Sequence, residues 1–122
     1  MRSAILQYID AVESADYNKI IELFSEEAIV HSPLYGDLSA KSFFKDLLSD
    51  TQRSKITMLN IFTSIDKPNV YSAHFNYEWT LKDNSEVNFN CVDIFIFDEI
   101  SKIKEMTIIY DTYKIRGSFE NL

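Results

Sequence analysis

Hydrophobic residues in the first third of the chain recur with the period of an α-helix. Asp16 and Ser39 are residue types that cap helix N-termini, and each precedes such a stripe. The three stripes comprise Ile5, Tyr8, Ile9 and Val12; Tyr17, Ile20, Ile21 and Phe24; and Phe43, Phe44, Leu47 and Leu48. The pattern predicts three amphipathic helices. A short strand over residues 28–32, stopped by Pro33, is expected between the second and the third.

After Arg53 the hydrophobic period changes to two, which is typical of β-strands. Four strand candidates of roughly ten residues follow, separated by turn residues at 66–69, 82–85 and 98–102. Such short connections predict an antiparallel meander. Because the helices precede the strands, we expect an α+β fold with three helices on one sheet face. Residues 1–116 are expected to form one domain, and residues 117–122 a frayed C-terminal tail.

The strand patterns assign residues to the two faces of the predicted sheet. On the strand that contains Asp93, the residues Cys91 and Phe95 share its face, which we expect to meet the helices. The opposite face of this strand and the next carries Val92, Ile94, Ile96 and Ile109. Helices on one side cannot cover these apolar residues. The pattern therefore predicts a homodimer through the outer sheet face.

Composition excludes several classes of partner and cofactor. The net charge of -7 repels nucleic acid and anionic membrane surfaces, so neither is expected as a partner. With two glycines, the chain offers no Gly-rich phosphate loop, and we expect no cofactor. Two histidines and one cysteine at no ligand spacing predict no metal site. The single Cys91 cannot form an internal disulfide, which fits a cytoplasmic protein, and no apolar run approaches 18 residues.

Asp93 is the residue that departs most from the pattern. A carboxyl group on the apolar face of a central strand loses hydration, and this raises its pKa. A protonated carboxyl of this kind can donate a hydrogen bond to an anionic oxygen. Tyr8, on the inward stripe of the first helix, could supply a second donor. The alternative for both residues is a structural role, in which a neighbouring hydroxyl or backbone group satisfies the acid and a backbone carbonyl accepts from the tyrosine hydroxyl.

The segments from Tyr8 through FSEEAIVHSP (residues 24–33) to NCVDIFIFDEISKIKEMTIIYDTYKIR (residues 90–116) resemble the nuclear transport factor 2-like superfamily. The resemblance is to its SnoaL-like and ketosteroid-isomerase-like branches, and it spans almost the whole chain. It implies a single SnoaL-like domain shaped as a cone, in which a strongly curved antiparallel sheet wraps three helices. It also implies an apolar pocket between sheet and helices, and often a dimer through the outer sheet face.

Carried over residue by residue, the resemblance assigns roles to three positions. The isomerases' oxyanion-binding tyrosine and acid match Tyr8 and Asp93, and their general base matches Ser32. A neutral serine cannot shuttle a proton between carbon atoms, so steroid isomerase activity is not expected. The pocket-lining positions would be Phe24, Phe44, Leu48, Phe75, Tyr77, Cys91, Phe95, Met106 and Tyr110. The same residues at the same spacing also describe a packed core.

Two functions are consistent with these patterns. In the first, the chain binds a small apolar ligand, with isomerase- or cyclase-type chemistry in which Tyr8 and Asp93 stabilise an oxyanion. In the second, it is a non-catalytic dimeric binding or assembly module whose pocket is filled by its own aromatic side chains. The retained pair Tyr8 and Asp93 favours the first, which we prefer, while the absent base at Ser32 and the many Phe and Tyr residues favour the second.

Overall fold

A computed structural model describes residues 1–122, apart from the side chain of Lys114. The elements in chain order are α1 (Arg2–Glu13), α2 (Tyr17–Glu22), β1 (Phe24–Ser32), β2 (Gly36–Ser39), α3 (Ala40–Ser49), β3 (Thr51–Thr63), β4 (Val70–Leu81), β5 (Glu86–Phe97), β6 (Ile103–Ile109) and α4 (Tyr113–Glu120). This is the predicted α+β arrangement, with three helices before a long meander.

The two predicted helix caps are present. The Asp16 carboxylate accepts a hydrogen bond from the Lys19 backbone N–H, 3.1 Å away, and the Ser39 hydroxyl accepts one from the Ser42 N–H, 3.2 Å away. Each bond satisfies a backbone donor that the first turn of a helix leaves unpaired. The caps therefore fix where α2 and α3 begin.

The six strands form one sheet in the order β2-β1-β6-β5-β4-β3. Strands β3 to β6 form the predicted antiparallel meander, and β1 and β2 are also antiparallel. The pair β1 and β6 is parallel, with Val30 opposite Met106. The strand period does not reveal the direction of this pairing, because the two strands lie more than 70 residues apart. Bulges interrupt the register of three strand pairs, and bulges increase the twist and bend of a sheet.

The core lies between the concave face of the sheet and helices α1 to α3. Its largest fully enclosed side chains are Phe44, Phe95 and Phe97. Alternate residues of β4 and β5 face this core, so that buried positions recur every second residue along both strands. The face assignment made from the sequence is confirmed for these two strands.

Three local features of the structure differ from what the sequence pattern indicates. Phe24 begins β1, where it pairs with Ile103, instead of ending the second helix. The segment after Tyr35 forms the short strand β2 because Gly36, at φ 80°, turns the chain back onto β1. The expected frayed tail from Gly117 is helical within α4, which packs through the buried Ile115.

The outer face of the sheet carries the apolar residues noted from the sequence. Val92, Ile94 and Ile96 of β5 are half-buried, and Ile109 of β6, directly opposite Val92, is half exposed. The inner helices do not reach this face. We call these four residues the outer apolar patch.

The aromatic core makes a direct prediction about stability. Phe95 is completely enclosed, and its ring centroid lies 5.5 Å from that of Tyr8. The change Phe95→Ala should therefore lower the free energy of unfolding by about 3–5 kcal/mol. Urea unfolding followed by fluorescence measures this loss.

The matched control is Phe62→Ala, since Phe62 is 52% exposed on β3. That change should alter the free energy of unfolding by less than about 0.5 kcal/mol. Equal losses at the two positions would contradict the core described here.

Candidate functional site

A cavity of about 40 Å³ lies between α1, α3 and the concave face of the sheet. Its wall is almost entirely apolar and aromatic. It is lined by Tyr8, Ile9, Val12, Ser32, Tyr35, Phe43, Leu47, Ile56, Phe75, Tyr77, Trp79, Phe89, Cys91, Asp93, Ile108 and Tyr110. For comparison, an engineered apolar cavity that holds benzene measures about 150 Å³. The space in this conformation is therefore smaller than one aromatic ring requires.

Asp93 supplies the only carboxyl group of the cavity wall. It lies on β5 between Ala73 of β4 and Ile108 of β6, and it is 2% exposed. Loss of hydration raises the pKa of this carboxyl to about 7. The Cys91 thiol donates a hydrogen bond to Asp93 Oδ1 over 3.3 Å and partly opposes the rise. Near neutral pH the cavity therefore contains an acid that is substantially protonated.

Tyr8 brings a phenol from α1 to the same cavity. Its ring packs edge-on against Phe24, Phe44 and Phe95, with centroids 5.5 to 6.0 Å apart. Burial raises the pKa of the Tyr8 hydroxyl well above its ordinary value, and the nearby Asp93 raises it further. Tyr8 is therefore a neutral donor at physiological pH, held in place by three aromatic neighbours.

The Tyr8 hydroxyl and the Asp93 carboxyl both face the cavity space. Every fully enclosed side-chain oxygen or nitrogen among the described residues has a hydrogen-bond partner. The Tyr8 hydroxyl makes no such bond with the described residues, and Asp93 uses only Oδ1, with Cys91. Both groups are therefore accessible to a molecule in the cavity, and both retain hydrogen-bonding capacity. A molecule in the cavity would meet two donors that the protein does not use.

Aromatic rings form the opposite wall. The rings of Phe89 and Tyr110 are tilted by 36° to each other with centroids 4.5 Å apart, and the ring centroid of Tyr77 lies 5.4 Å from that of Phe89. The Tyr77 hydroxyl is satisfied by Ser54 Oγ at 2.8 Å. Desolvation raises the pKa of both tyrosine hydroxyls. This wall is thus apolar and uncharged, and it would contact a flat or apolar ligand.

Ser32 faces the cavity, but its hydroxyl is already engaged. It accepts hydrogen bonds from the backbone N–H groups of Leu34, at 3.2 Å, and Tyr35, at 3.1 Å. His31 points to the other sheet face, as strand alternation requires. There its two ring nitrogens contact Asp37 at 2.8 Å and Glu105 at 2.6 Å, and these hydrogen bonds raise its pKa. Ser32 therefore acts as a turn cap, and His31 cannot serve the cavity.

The positions expected to line a pocket divide into two groups. Phe75, Tyr77, Cys91 and Tyr110 border the cavity together with Tyr8, Asp93 and Ser32. The others, which are Phe24, Phe44, Leu48, Phe95 and Met106, lie outside its wall. Of these, Leu48 is half-buried and the rest are enclosed in the core.

Sequence reasoning missed several wall residues. Trp79 and Phe89 have the strand parity of Tyr77 and Cys91, so the period of two could have identified them. Ile9 and Val12 lie on the predicted stripe of α1. Tyr35 gave no comparable signal, because it lies in a turn and reaches the wall only through the tertiary fold.

Two further findings concern the described part of the chain. Within it, no cluster of three or more His, Cys, Asp or Glu side chains is placed to hold a metal ion. None of its described helices is long and apolar enough to cross a membrane.

No family model matches the sequence, and no curated protein matches it either. Solved structures do resemble it. An NTF2-like protein of unknown function from Exiguobacterium sp. 255-15 is 17% identical, with a TM-score of 0.76 over 88% of this chain and 98% of that one. The epoxide hydrolase/cyclase-like enzyme SalBIII, of pyran ring formation in the polyether salinomycin, is 19% identical, with a TM-score of 0.75 over 90% and 89%. The candidate hydroxylase AclR from Streptomyces galilaeus is 13% identical, with a TM-score of 0.77 over 99% and 81%.

The chain has the NTF2-like fold. These likenesses confirm the cone-shaped α+β architecture that the sequence resemblance implied. They say less about chemistry, because proteins with one fold carry out many functions. The chemistry of the site depends on Tyr8, Asp93 and the wall around them.

The buried carboxyl makes stability depend on pH. Asp93 titrates near 4 in the unfolded chain and near 7 in the native protein. Between these values the native state binds more protons, so its stability falls as pH rises. Relative to Asp93→Asn, the parent should lose about 3 kcal/mol between pH 4 and pH 7. Urea unfolding of both proteins across this range measures the difference.

The matched control is Asp83→Asn, because hydrogen bonds with Ser85 lower the pKa of the exposed Asp83 carboxyl. That variant should keep the downward slope of the parent. A parent and an Asp93→Asn variant with parallel pH profiles would contradict burial of an ionisable Asp93.

Proposed function

We propose that the cavity binds a small apolar molecule through an oxygen atom, which Tyr8 and the protonated Asp93 hold by hydrogen bonds. The observation that carries this proposal is that the Tyr8 hydroxyl and the Asp93 carboxyl retain hydrogen-bonding capacity in a wall that is mostly apolar and aromatic. Convergent polar groups in a concave apolar site are typical of small-molecule pockets. The acidic surface and the uncharged wall favour a neutral ligand.

The same pair suits an oxygen that gains negative charge during a reaction. Donors fixed in a water-poor site stabilise such an oxyanion more strongly than water does, because they need no reorganisation. A carboxyl that remains protonated near pH 7 can act as one of these donors. Isomerase- and cyclase-type reactions on carbonyl compounds form such anions. The epoxide hydrolase/cyclase-like neighbour SalBIII supports this class of chemistry for the fold.

Steroid double-bond isomerisation is not part of the proposal. That reaction needs a base at the position of Ser32, and the Ser32 hydroxyl is neutral and occupied by two backbone donors. The cavity of about 40 Å³ is also far smaller than a steroid. Any turnover would therefore act on a different and smaller carbonyl compound.

Phenol is a direct probe, since its hydroxyl and ring resemble the proposed ligand. The change Tyr8→Phe removes one donor and should weaken phenol binding about five- to tenfold. Isothermal calorimetry at pH 6 measures the dissociation constants. The control Tyr113→Phe alters a side chain that is 86% exposed and should leave binding unchanged.

The small cavity favours a second function, that of a binding or assembly module without a small ligand. Tyr8, Phe24, Phe44 and Phe95 fill the interior with mutual aromatic contacts. In that case phenol would fail to bind the parent, or would bind Tyr8→Phe equally well. Either result would reject the ligand site and favour the module.

We also propose that the chain forms a homodimer through the outer apolar patch. The patch is continuous across the hydrogen-bonded pair β5 and β6, where Val92 faces Ile109. Contiguous exposed apolar surface of this kind marks interaction sites. In a dimer with a two-fold axis, the patch of each protomer would pack against the same patch of its partner, so both patches would be shielded from water.

Light scattering coupled to gel filtration should report about twice 14.2 kDa for the parent. Ile94→Lys places a charge in the patch and should give a folded monomer. Ile65→Lys is the matched control, because Ile65 is fully exposed in the β3–β4 connection. A monomeric parent, or an Ile94→Lys dimer, would contradict this interface.

A further inference from the structure

The cavity is too small for the kind of ligand that Tyr8 and Asp93 would bind. At about 40 Å³ it is well below the roughly 150 Å³ that a single aromatic ring occupies in an apolar cavity. Part of the wall must therefore move before such a ligand can be held. The moving part should be an element that covers wall residues from outside and has few contacts of its own.

Helix α4 meets both conditions. Phe119 packs edge-on against the wall residue Tyr35, with ring centroids 5.1 Å apart. Ile115 borders a surface recess together with Phe89, which also lines the cavity. The rings of Tyr35 and Phe89 thus separate the cavity from α4 at two points.

The attachment of α4 is slight. Outside its own turns, its described side chains make one hydrogen bond to the rest of the protein, from Arg116 Nη2 to the Pro33 carbonyl at 3.2 Å. Eight residues make a short helix, and Gly117 lowers its helix propensity. Its Thr112 N-cap makes no side-chain cap bond. Packing of Ile115 and Phe119 therefore holds α4 in place.

We propose that α4 is a movable cover of the cavity and that the contact between Tyr35 and Phe119 keeps it closed. Undocking of α4 frees Tyr35 and Phe89 to turn outward, which enlarges the cavity and opens it to solvent. The inference rests on the proposed function for its purpose, because a protein without a ligand needs no such opening. The proposed movement itself depends only on the contacts between α4 and the cavity wall, and needs no ligand.

Cys91 allows the opening to be measured without any ligand. It is the one cysteine of the chain, it is buried, and it lines the cavity next to Asp93. Methyl methanethiosulfonate is a small reagent that transfers its methylthio group to a thiolate, which forms a mixed disulfide and releases methanesulfinate. It reaches Cys91 when the cavity opens. The rate of this addition, followed by mass spectrometry, reports the open fraction.

Phe119→Ala should raise the labelling rate about tenfold, since it removes the aromatic contact that holds α4 closed. Tyr113→Ala is the matched control on the same helix, because Tyr113 packs against nothing that closes the cavity and is 86% exposed. It should label at the parent rate. Labelling should also be nearly independent of urea at low concentration, as expected of a local opening.

Three results would overturn the cover. These are an unchanged rate in Phe119→Ala, equal acceleration by Tyr113→Ala, and a steep urea dependence, which indicates global unfolding. If Phe119→Ala fails to fold, hydrogen exchange of the parent protein tests whether α4 opens locally. The α4 amides should then exchange with a smaller free energy of opening than those of β5. Equal protection of the two elements would overturn the proposal. A parent that opens through α4 but does not bind phenol rejects the ligand function and leaves the cover intact.

Discussion

Burial of two hydrogen-bonding groups in an aromatic interior is the constraint on which the rest of this structure depends. Asp93 and Tyr8 come from opposite layers, β5 and α1, and both are buried in the wall of the same cavity. Such groups cost stability unless they are neutral or paired. Burial raises the pKa of Asp93 to about 7, so that the carboxyl is partly protonated near neutral pH, and the Cys91 thiol supplies one weak donor. The remaining capacity is directed into the cavity.

This arrangement determines which chemistry the site can support. A neutral carboxyl and a neutral phenol are donors, and donors stabilise an oxygen that becomes negative. In these neutral forms they cannot take a proton from carbon, and Ser32 cannot do so either because its hydroxyl caps a turn. The neutral pair therefore offers two hydrogen-bond donors, and the ionised fraction of Asp93 is the one carboxylate of the cavity wall among the described residues. Chemistry that needs only polarisation of an oxygen, or binding alone, is consistent with both facts.

Access is the second property of the interior. The aromatic side chains that exclude water also reduce the space to about 40 Å³. A tightly packed wall and a usable pocket are compatible only if a weakly held element can leave. Helix α4, attached through Ile115, Phe119 and one hydrogen bond from Arg116, is that element. The outer apolar patch lies on the opposite face of the sheet, so α4 could move without disturbing a dimer formed there.

The sequence by itself determined the α+β class, the caps Asp16 and Ser39, and the inward face of β4 and β5. These follow from local periods and local hydrogen bonds, which a linear pattern records. It also singled out Asp93, because a carboxyl in an apolar strand face breaks the pattern. Only the tertiary structure decided the parallel pairing of β1 with β6, the wall position of Tyr35, the packing of α4 and the size of the cavity. Each of these depends on contacts between residues far apart in the chain, and on how completely side chains fill the space between layers.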